Sequence, residues 1–411
     1  MLVLGSGGRE HALAWRLARD PEPAEVRVAP GNDGMGRAFA RVDLSEADAD
    51  RIADRCRADG VELVVVGPEA PLTAGIVDTL AARGIPVFGP TREAARLESS
   101  KWFAKEVMRE AGVPTARAEA FEDLGAARAA LERFRPPYVV KADGLAAGKG
   151  VRVAAGREGA EAFLAECLDG GRFGAAGHRV LIEEHLEGEE ASVIAVCDGV
   201  RHVLLPPARD YKRAYDGDHG PNTGGMGAFA PVSAVGPGLE RAIGERIVTP
   251  VLAAMARRGM PFRGALYCGL MLCGDEARVI EFNVRFGDPE AQVVLPLLEG
   301  SLRRLLASAA AGRLDPDAVR RAPGAAVAVA LADEGYPDAV RGGGVITGLD
   351  PVEQLERVVV FHAAGTAGPA GQWRAAGGRI AYVVGLADTV AAARTRAYDA
   401  IARLGGSGWR C

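Results

Sequence analysis

The chain has 411 residues, of which 48% are hydrophobic and 25% are charged, and its formal net charge is -5 at pH 7. This length corresponds to roughly two to four domains, and the composition is that of a globular protein with buried cores. The acidic balance argues against a broad nucleic-acid-binding surface but is compatible with a local basic pocket for phosphates.

Short apolar runs alternate with helical segments over the N-terminal part of the chain. Strands are predicted at residues 1–4, 26–29, 62–66 and 86–89, and helices at 11–19, 45–58 and 73–83. This alternation predicts an α/β unit with an open, Rossmann-like parallel sheet that is covered by helices on both faces. The loops GSGGRE, APGN and GPEAP follow predicted strands, at the edge where such sheets bind ligands.

A smaller unit is predicted after a helix over residues 91–111, which ends at Gly112. Its predicted strands are 138–142, 151–154 and 179–184, and its predicted helices are 123–133 and 158–168. The segment 210–231 is rich in Gly, Asp, Asn and Pro. It is therefore predicted to be a long functional loop without regular structure.

The remaining elements are a helix, a pair of strands and a C-terminal α+β unit. The helix is predicted at 239–257, the strand pair at 265–273 and 278–283, and the C-terminal strands and helix at 325–332, 358–361, 379–385 and 389–403.

The six cysteines form no C-x-x-C pair and lie near no histidine cluster, so neither a zinc site nor a disulfide framework is expected. The first residues lack the basic and apolar parts of a signal peptide, and no apolar run approaches the ~20 residues that span a membrane. We therefore expect a reduced, cytoplasmic enzyme with no membrane or nucleic-acid partner.

Only five of the 49 basic residues are lysines. Their ammonium groups are compact point charges, which the planar guanidinium group of arginine does not replace at a tight site. The positions of the lysines are therefore informative. Lys141 and Lys149 fall in a glycine-rich segment with a candidate phosphate role, whereas Lys105 is expected to be an ordinary helix residue.

The N-terminal turn GSGGRE resembles a dinucleotide-binding loop only in part. Gly5 and Gly7 fit the G-x-G-x-x-G pattern, but Glu10 stands where the third glycine permits close helix packing. The turn can still bind an anion through free backbone N–H groups, with Arg9 as a bidentate phosphate ligand. The alternative is a tight turn with an exposed arginine.

The segment VKADGLAAGKGV, residues 140–151, is a glycine-rich loop between two predicted strands. It is not a Walker A loop, because Lys149 is followed by Gly150 and a strand. Lys141 lies at its base and Lys149 at its tip, which favours a loop that covers phosphates. The alternative is a flexible hairpin loop.

Acidic residues follow the next predicted strand in IEEHLEGEEASV, residues 182–193. The backbone there can read an adenine ring, and Glu183 or Glu190 can accept hydrogen bonds from ribose hydroxyl groups. An ordinary surface turn is the alternative for Glu184 and His185.

The segment VIEFNVRFGDPE, residues 279–290, carries Glu281, Asn283 and Arg285 at alternate positions, so a strand would project all three from one face. Carboxylate and amide oxygens suit Mg²⁺, and Arg285 would face charge on a transferred phosphoryl group. A polar outer strand face is the alternative.

Together these segments resemble the ATP-grasp ligases, and within them the glycinamide ribonucleotide synthetase family. The similar segments are GSGGREHALAW, APGN, VVGPEAPL, FGPT, ESSKWFAK, VKADGLAAGKGV, IEEHLEGEEAS, DGDHGPNTGGMGAFAP and IEFNVRFGDPE, with weaker similarity in GYP, FHAAGT and GGRIAYVVG. The resemblance implies an N-terminal α/β domain at 1–98, an ATP-grasp domain at 99–322 with a lid at about 118–186, and a C-terminal α+β domain at 323–411.

The resemblance also implies the chemistry. ATP phosphorylates the carboxylate of glycine, and the amine of 5-phosphoribosylamine attacks the glycyl phosphate to give glycinamide ribonucleotide, ADP and phosphate. Mg²⁺ or Mn²⁺ is the implied metal, and a monomer is expected.

The implied roles are assigned position by position. The ATP-binding residues would be Lys101, Lys141, Gly148, Lys149, Gly150, Glu183, Glu184, His185, Leu186, Glu190, Arg213 and Asn222, and the metal ligands Glu281 and Asn283. The substrate-binding residues would be Gly7, Gly8, Arg9, Glu10, Asn32, Glu69, Asp216 and Asp218, and the catalytic residues Arg285 and Asp288.

Two departures from the family pattern bear on these roles. The family usually reads QDHKR where this chain reads RDYKR. Lys212 and Arg213 match the family pattern, but Arg209 and Tyr211 alter their surroundings. The family also continues past the final tryptophan, whereas this chain stops at Cys411.

Three other functions are open. A ligase for another carboxylate and amine, such as a biotin-carboxylase-like or an aminoimidazole-ribonucleotide-carboxylating enzyme, is disfavoured by the GPNTGGMGA segment. An NAD-dependent oxidoreductase is disfavoured by Glu10. A non-catalytic nucleotide sensor is disfavoured by the set Glu281, Asn283 and Arg285.

Overall fold

The structure, a computed structural model, describes residues 1–22, 24–146, 149–217 and 219–411. Its N-terminal part contains the predicted parallel sheet of five strands. In spatial order the strands are Ala40–Arg41, Arg27–Pro30, Leu2–Gly5, Val64–Val66 and Val87–Phe88. Leu2 and Leu4 pack into one hydrophobic core and Val3 into another, as expected for a sheet with both faces covered.

The helices beside this sheet differ in their bounds from the prediction. They are Gly8–Leu17, Ala49–Ala58, Glu69–Ala74, Ile76–Ala82 and Arg96–Ser99, with a 3-10 turn at Met35–Arg37. Left-handed Gly75, with φ of +93°, interrupts the helix predicted at 73–83. The helix predicted at 91–111 is divided at Ser100, which is extended and accepts a hydrogen bond from the Phe103 N–H as the N-cap of a new helix.

A four-stranded antiparallel sheet, which we call the lid sheet, forms the next unit. In spatial order its strands are Ala118–Phe121, Val180–Glu183, Tyr138–Ala142 and Val151–Ala154. The helices Leu124–Ala130 and Arg157–Leu168 and the 3-10 turns Leu131–Arg133 and Gly174–Gly177 accompany it. Leu131, Phe134 and Phe163 belong to a small hydrophobic core of its own.

A second antiparallel sheet, the central sheet, shares two hydrophobic cores with the N-terminal sheet. Its strands are His202–Leu204, Glu189–Asp198, Arg263–Cys273 and Glu276–Asn283, and the last two form the predicted pair. The helices beside it are Lys101–Ala111, Pro237–Ile243, Thr249–Arg257, Glu290–Val294 and Leu302–Ala310. A π-helical turn lies at Gly244–Val248 and a 3-10 turn at Leu295–Leu297, and Leu298–Gly300 and Val319–Arg321 form a short strand pair.

The prediction of an irregular loop at 210–231 is wrong. Arg209–Tyr215 and His219–Ala230 form two antiparallel strands, and the second pairs with Ala325–Asp333. Gly227 permits the close approach, since a methyl group there would lie 2.5 Å from the Ala328 carbonyl oxygen. Backbone hydrogen bonds to a long neighbouring strand therefore compensate for the low strand propensity of the glycines.

The predicted C-terminal α+β unit is present and shares a sheet with this hairpin. The remaining strands of that sheet are Arg379–Ala387, Val358–His362 and Trp409–Arg410. A smaller sheet contains Gly365–Ala367, Trp373–Ala375, Val345–Thr347 and Gly405–Ser407, and the helices are Leu349–Glu353 and Val390–Ile401, with a 3-10 turn at Pro369–Gly371. The division of the chain at residues 98 and 322 stays a prediction. In the part of the chain that is described, no helix is long and apolar enough to cross a bilayer.

Candidate nucleotide-binding and ligase site

A cavity of about 1320 Å³ lies between the lid sheet, the central sheet and the 209–230 hairpin. It brings together many of the residues predicted for the nucleotide and its surroundings. The predicted residues that line it are Lys141, Glu183, Glu184, His185, Leu186, Glu190, Arg213, Asn222, Asp216 and Glu281. Gly148 and Asp218 lie outside the described residues.

Lys141 and Glu183 form a buried ion pair at the wall of this cavity. Lys141 Nζ lies 3.0 Å from Glu183 Oε2 and donates to the Ile280 carbonyl oxygen at 3.1 Å. The two residues lie on adjacent strands of the lid sheet, where Val139 is paired with Glu183 and Lys141 lies two residues further along. A diagonal pair on one sheet face is within reach of long side chains.

Lys101 lies in the first turn of the helix Lys101–Ala111, next to the start of the glycine-rich loop that follows Lys141. Its Nζ donates to the Gly144 carbonyl oxygen at 3.0 Å, and burial lowers the pKa of its ammonium group. Asp143 accepts a hydrogen bond from the Trp102 N–H at 2.7 Å and so ties the helix start to the loop. Lys149 is exposed on that loop, next to Gly150.

The prediction that Lys105 is an ordinary helix residue is wrong. Its side chain is 4% exposed, and its Nζ lies 3.3 Å from Glu183 Oε2. Burial lowers the pKa of Lys105 to about 8. The helical spacing from Lys101 could have suggested this proximity, because residues four apart lie on one face.

Apolar side chains line the cavity beside the acidic segment. They are Val139, Leu186, Met271 and Ile280. The side chain of Glu184 is used within the protein, since its Oε1 accepts a hydrogen bond from the Arg117 N–H at 3.0 Å. An apolar slot next to exposed backbone suits a flat nucleobase.

The hairpin supplies a polar and aromatic wall. Lys212 Nζ lies 3.2 Å from Glu190 Oε2, and Arg213 Nη1 donates to the Gly220 carbonyl oxygen at 2.8 Å. Both residues that depart from the family pattern also line the cavity: Arg209 pairs with Glu189 at 3.3 Å, and the half-exposed ring of Tyr211 packs near Phe229.

Glu281 and Asn283 lie on the strand Glu276–Asn283 as predicted. Across the described ranges, neither side chain forms a hydrogen bond or ion pair, and those ranges contain no cluster of three or more His, Cys, Asp and Glu residues. Burial raises the pKa of Glu281, but Lys212, Lys141 and Lys101 outweigh it and hold that pKa below its ordinary value. Two free oxygen donors fit Mg²⁺, which completes its shell with water and phosphate oxygens.

Arg285 differs from its prediction because the strand ends at Asn283 and Arg285 follows in a bend. Its Nε lies 3.4 Å from Glu69 Oε2, and its Nη2 lies 3.2 Å from Glu98 Oε1. Burial lowers the pKa of Arg285, but Glu98 and Glu69 outweigh it and raise that pKa. Glu98, which the sequence reasoning missed, also accepts the Val284 N–H at 2.7 Å.

Glu10 fills the N-terminal turn. Its Oε2 accepts a hydrogen bond from the Gly7 N–H at 2.7 Å, and its side chain packs against Gly5. This buried carboxylate occupies the space where a dinucleotide loop would approach a pyrophosphate, which removes support for the oxidoreductase alternative.

Arg9 is buried, so the alternative of an exposed arginine is wrong. Its Nε lies 2.5 Å from Glu10 Oε1, and its Nη1 lies 3.9 Å from Glu69 Oε2. Gly8 packs so closely on the Tyr382 ring that a methyl group there would lie 2.7 Å from Cε2.

Asn32 joins two loops. Its Nδ2 donates to the carbonyl oxygens of Ser6 at 2.8 Å and His362 at 3.0 Å, and its Oδ1 accepts from the Met35 N–H. Both N–H groups of the amide therefore donate within the protein. A substrate could form a hydrogen bond only to the amide oxygen, as a donor.

Asp288 is held by residues of the C-terminal unit that sequence reasoning missed. Its Oδ2 accepts from Arg379 at 2.8 Å, and its Oδ1 accepts from the Tyr382 hydroxyl at 3.0 Å and from Gln292 at 2.7 Å. Burial raises the pKa of Asp288, but Arg379 outweighs it and lowers that pKa. Arg379 also donates to the Gly224 carbonyl oxygen of the hairpin.

A second buried carboxylate, Glu290, lies behind the cavity and was not predicted. Its Oε1 accepts hydrogen bonds from the Tyr267 hydroxyl at 2.9 Å and from Ser192 Oγ at 3.2 Å. Glu290 ends the segment VIEFNVRFGDPE, but only the fold brings the start of its helix next to the two strands that carry Ser192 and Tyr267.

The lid sheet and the central sheet close on one cavity, whose wall combines buried lysines with a free carboxylate. This arrangement defines the ATP-grasp class of enzymes. Biotin carboxylase from Campylobacter jejuni in a β-γ-ATP complex has the same fold, with a TM-score of 0.72 at 18% identity over 100% of this chain and 92% of that chain.

The chain belongs to the phosphoribosylglycinamide synthetase family. The family models match its N domain at residues 1–98, its ATP-grasp (A) domain at 99–291 and its C domain at 326–410. Phosphoribosylamine–glycine ligase from Caulobacter vibrioides is 46% identical over 98% of this chain and 94% of its own length. The crystal structure of phosphoribosylamine–glycine ligase from Thermotoga maritima superposes with a TM-score of 0.86 at 35% identity, over 99% of this chain and 97% of that chain.

Proposed function

We propose that the chain ligates glycine to 5-phosphoribosylamine with ATP, giving glycinamide ribonucleotide, ADP and phosphate in purine biosynthesis. This activity is named for the relatives from Caulobacter and Thermotoga, which match almost the full chain. The observation that carries the proposal is the cavity wall, where Lys141, Lys212 and Glu281 line one cavity and the Glu281 carboxylate forms no ion pair in the described part.

In the first step a carboxylate oxygen of glycine attacks the γ-phosphorus of ATP, and the bond from that phosphorus to ADP breaks. Glycyl phosphate and ADP result, with no covalent bond to the enzyme. Lys101 and Lys141 would neutralise the phosphates, and the 144–150 loop, which follows the strand of Lys141, would cover them. Catalysis of this kind depends on positioning and charge neutralisation.

In the second step the amine nitrogen of phosphoribosylamine attacks the carbonyl carbon of glycyl phosphate, phosphate leaves, and the amine releases a proton. Arg9 and Glu69 of the N-terminal part would face the phosphoribosylamine. Arg285 would face the acyl phosphate, and its ion pair with Glu69 supports a site in which the two substrates lie next to each other.

A divalent cation, Mg²⁺ or Mn²⁺, would be held by Glu281 and Asn283, and when bound it neutralises the ATP phosphates. Asn283→Leu should raise the Mg²⁺ concentration for half-maximal rate about tenfold, since one of two oxygen ligands is lost. Gln354→Leu, at an exposed position, is the matched control. An unchanged Mg²⁺ titration in Asn283→Leu contradicts the metal assignment.

The decisive experiment measures ADP release from ATP in the presence of Mg²⁺, glycine and phosphoribosylamine, with each left out in turn. We expect release to need both substrates. ADP that appears equally without phosphoribosylamine, or with bicarbonate in place of glycine, contradicts the proposal and favours another ATP-grasp ligase. The monomeric state and the cytoplasmic location stay predictions.

A further inference from the structure

Asp143 connects the lid sheet to the start of the helix Lys101–Ala111. It is the first residue after the strand Tyr138–Ala142, and 14% of its side chain is exposed. Its Oδ1 accepts a hydrogen bond from the Trp102 N–H at 2.7 Å. Ser100 Oγ donates to the same carboxylate and lies 3.1 Å from Oδ1 and 3.2 Å from Oδ2. The first N–H groups of a helix have no acceptor inside it, so a carboxylate at this end is stabilising.

The backbone of Asp143 and Gly144 makes two further bonds to the helix start. The Lys101 N–H donates to the Asp143 carbonyl oxygen at 3.0 Å, and Lys101 Nζ donates to the Gly144 carbonyl oxygen at 3.0 Å. On the lid side, the Asp143 N–H donates to the Arg179 carbonyl oxygen at 3.0 Å, and Arg179 Nη1 lies 3.7 Å from Asp143 Oδ2. Asp143 is therefore bonded to the lid unit and to the helix at the same time.

This junction lies between the two lysines that the proposed function assigns to the ATP phosphates. Lys101 is the first residue of the helix, and Lys141 precedes Asp143 by two residues on the strand. Burial lowers the pKa of the Lys101 ammonium group, Glu281 opposes this effect, and the positive charge of Lys141 adds to it. The two ammonium groups are thus near enough to repel each other. Their arrangement depends on a fixed link between the helix and the strand.

We propose that Asp143 is a positioning residue for the ATP phosphates: by joining the helix start to the lid strand, it sets the separation of the Lys101 and Lys141 ammonium groups. This inference rests on the proposed function, in which the cavity binds ATP. Among the described residues, Lys101 Nζ donates to Gly144 alone, so two of its three N–H bonds remain for phosphate oxygens. Without the carboxylate, the junction loses its side-chain bonds to the helix, and the two ammonium groups no longer contact the phosphates together.

The test compares ATP with adenosine, which lacks the phosphates, on the full chain without glycine or phosphoribosylamine. In Asp143→Ala we expect Kd for ATP to rise about tenfold and Kd for adenosine to change less than about twofold. A merely structural role weakens both ligands alike, because both use the same contacts to the nucleobase and the ribose. Saturation-transfer NMR measures the weak binding of adenosine, and calorimetry measures that of ATP.

Two further variants and a control accompany this comparison. Asp143→Asn keeps an acceptor for the Trp102 N–H but removes the negative charge, so its Kd for ATP should lie between those of the wild type and Asp143→Ala. Ser100→Ala removes one donor to the carboxylate and should shift Kd for ATP in the same direction by a smaller factor; it serves if Asp143→Ala does not fold. Asp169→Ala, at an exposed position of the lid unit, is the matched control and should leave both dissociation constants unchanged.

Equal weakening of ATP and adenosine, or unchanged affinity for ATP in Asp143→Ala, overturns the role of Asp143 while the proposed function stands. A wild-type chain that binds ATP no more tightly than adenosine also overturns it, because the phosphates then contribute no affinity. A wild-type chain that binds neither ligand contradicts the proposed function itself, and the inference with it.

Discussion

Charged side chains that are paired below the surface set the geometry of this site residue by residue. Glu183 holds Lys141 from the lid sheet, and Glu69 and Glu98 hold Arg285 beside the central sheet. Breaking such a pair by removal of one partner leaves an uncompensated buried charge. We therefore expect the rate of ligation to fall when one of these paired side chains is replaced by another of similar size or equal charge but different shape.

Lys141→Arg tests the need for a compact ammonium group. Lys141 is 5% exposed and pairs with Glu183 Oε2 and the Ile280 carbonyl oxygen, a geometry that the longer, planar guanidinium group does not reproduce. We expect kcat/KM for ATP to fall about 100-fold, as for a small misplacement of a reacting group. Arg152→Lys on the neighbouring strand is the control, and near-normal steady-state kinetics with ATP in Lys141→Arg would falsify the role.

Glu98→Gln tests whether Glu98 orients the side chain of Arg285. Glutamine keeps an acceptor for the Val284 N–H but removes the charge that faces Arg285 Nη2 at 3.2 Å. Because Arg285 would act on charge that develops during phosphoryl transfer, we expect kcat to fall about tenfold with KM for ATP little changed. Glu93→Gln, which alters an exposed ion pair with Arg96, should have no such effect. An unchanged kcat in Glu98→Gln argues against this role.

At the scale of elements, the hairpin 209–230 forms one wall of the cavity. Its second strand contains Gly227 at the position where the neighbouring strand Ala325–Asp333 comes close. Composition alone predicts a loop there, because glycine and asparagine have low strand propensity. Pairing with a buried strand overrides that preference.

Gly227→Ala tests this close approach. The added methyl group would lie 2.5 Å from the Ala328 carbonyl oxygen, and that atom belongs to the backbone and cannot turn away. We expect the free energy of unfolding to fall by about 1–3 kcal/mol, the usual effect of overpacking. Gly238→Ala, which has open space around it, is the matched control in a urea titration. Equal midpoints for the two variants contradict the explanation.

At the scale of the whole molecule, the C-terminal unit completes the site and closes on the N-terminal part. Arg379 and Tyr382 hold Asp288, and His362 donates its backbone N–H to His11 Nδ1 at 2.9 Å. Burial, and secondarily His362, lower the pKa of His11 to about 3 from an ordinary value of 6.5. This interface should therefore be sensitive to acid.

His11→Asn tests that sensitivity. Between these two pKa values His11 is protonated in the unfolded chain but neutral in the folded chain. The free energy of unfolding therefore falls as the pH falls. From about pH 6.5 to about pH 5.5 the wild type should lose about 1 kcal/mol more unfolding free energy than the variant. Denaturation followed by tryptophan fluorescence measures this difference, since Trp15 packs on Phe361 near His11. His178→Asn, at an exposed histidine, should behave as wild type, and equal acid sensitivity of His11→Asn contradicts the assignment.

The sequence by itself determined the local elements and the motif residues. Apolar periodicity predicted the parallel sheet and the strand pair that carries Glu281, because hydrophobic spacing reports which faces are buried. The glycine-rich loop, the acidic segment and the rarity of lysine marked the cavity wall.

Only the tertiary structure decided which distant residues meet. Lys105 looked ordinary, yet the fold buries it against Glu183, and Arg379 reaches Asp288 from 91 residues away in sequence. The segment 209–230 forms two strands because the second of them pairs with the buried strand Ala325–Asp333. These outcomes depend on long-range burial and backbone pairing, which no local pattern of residues encodes.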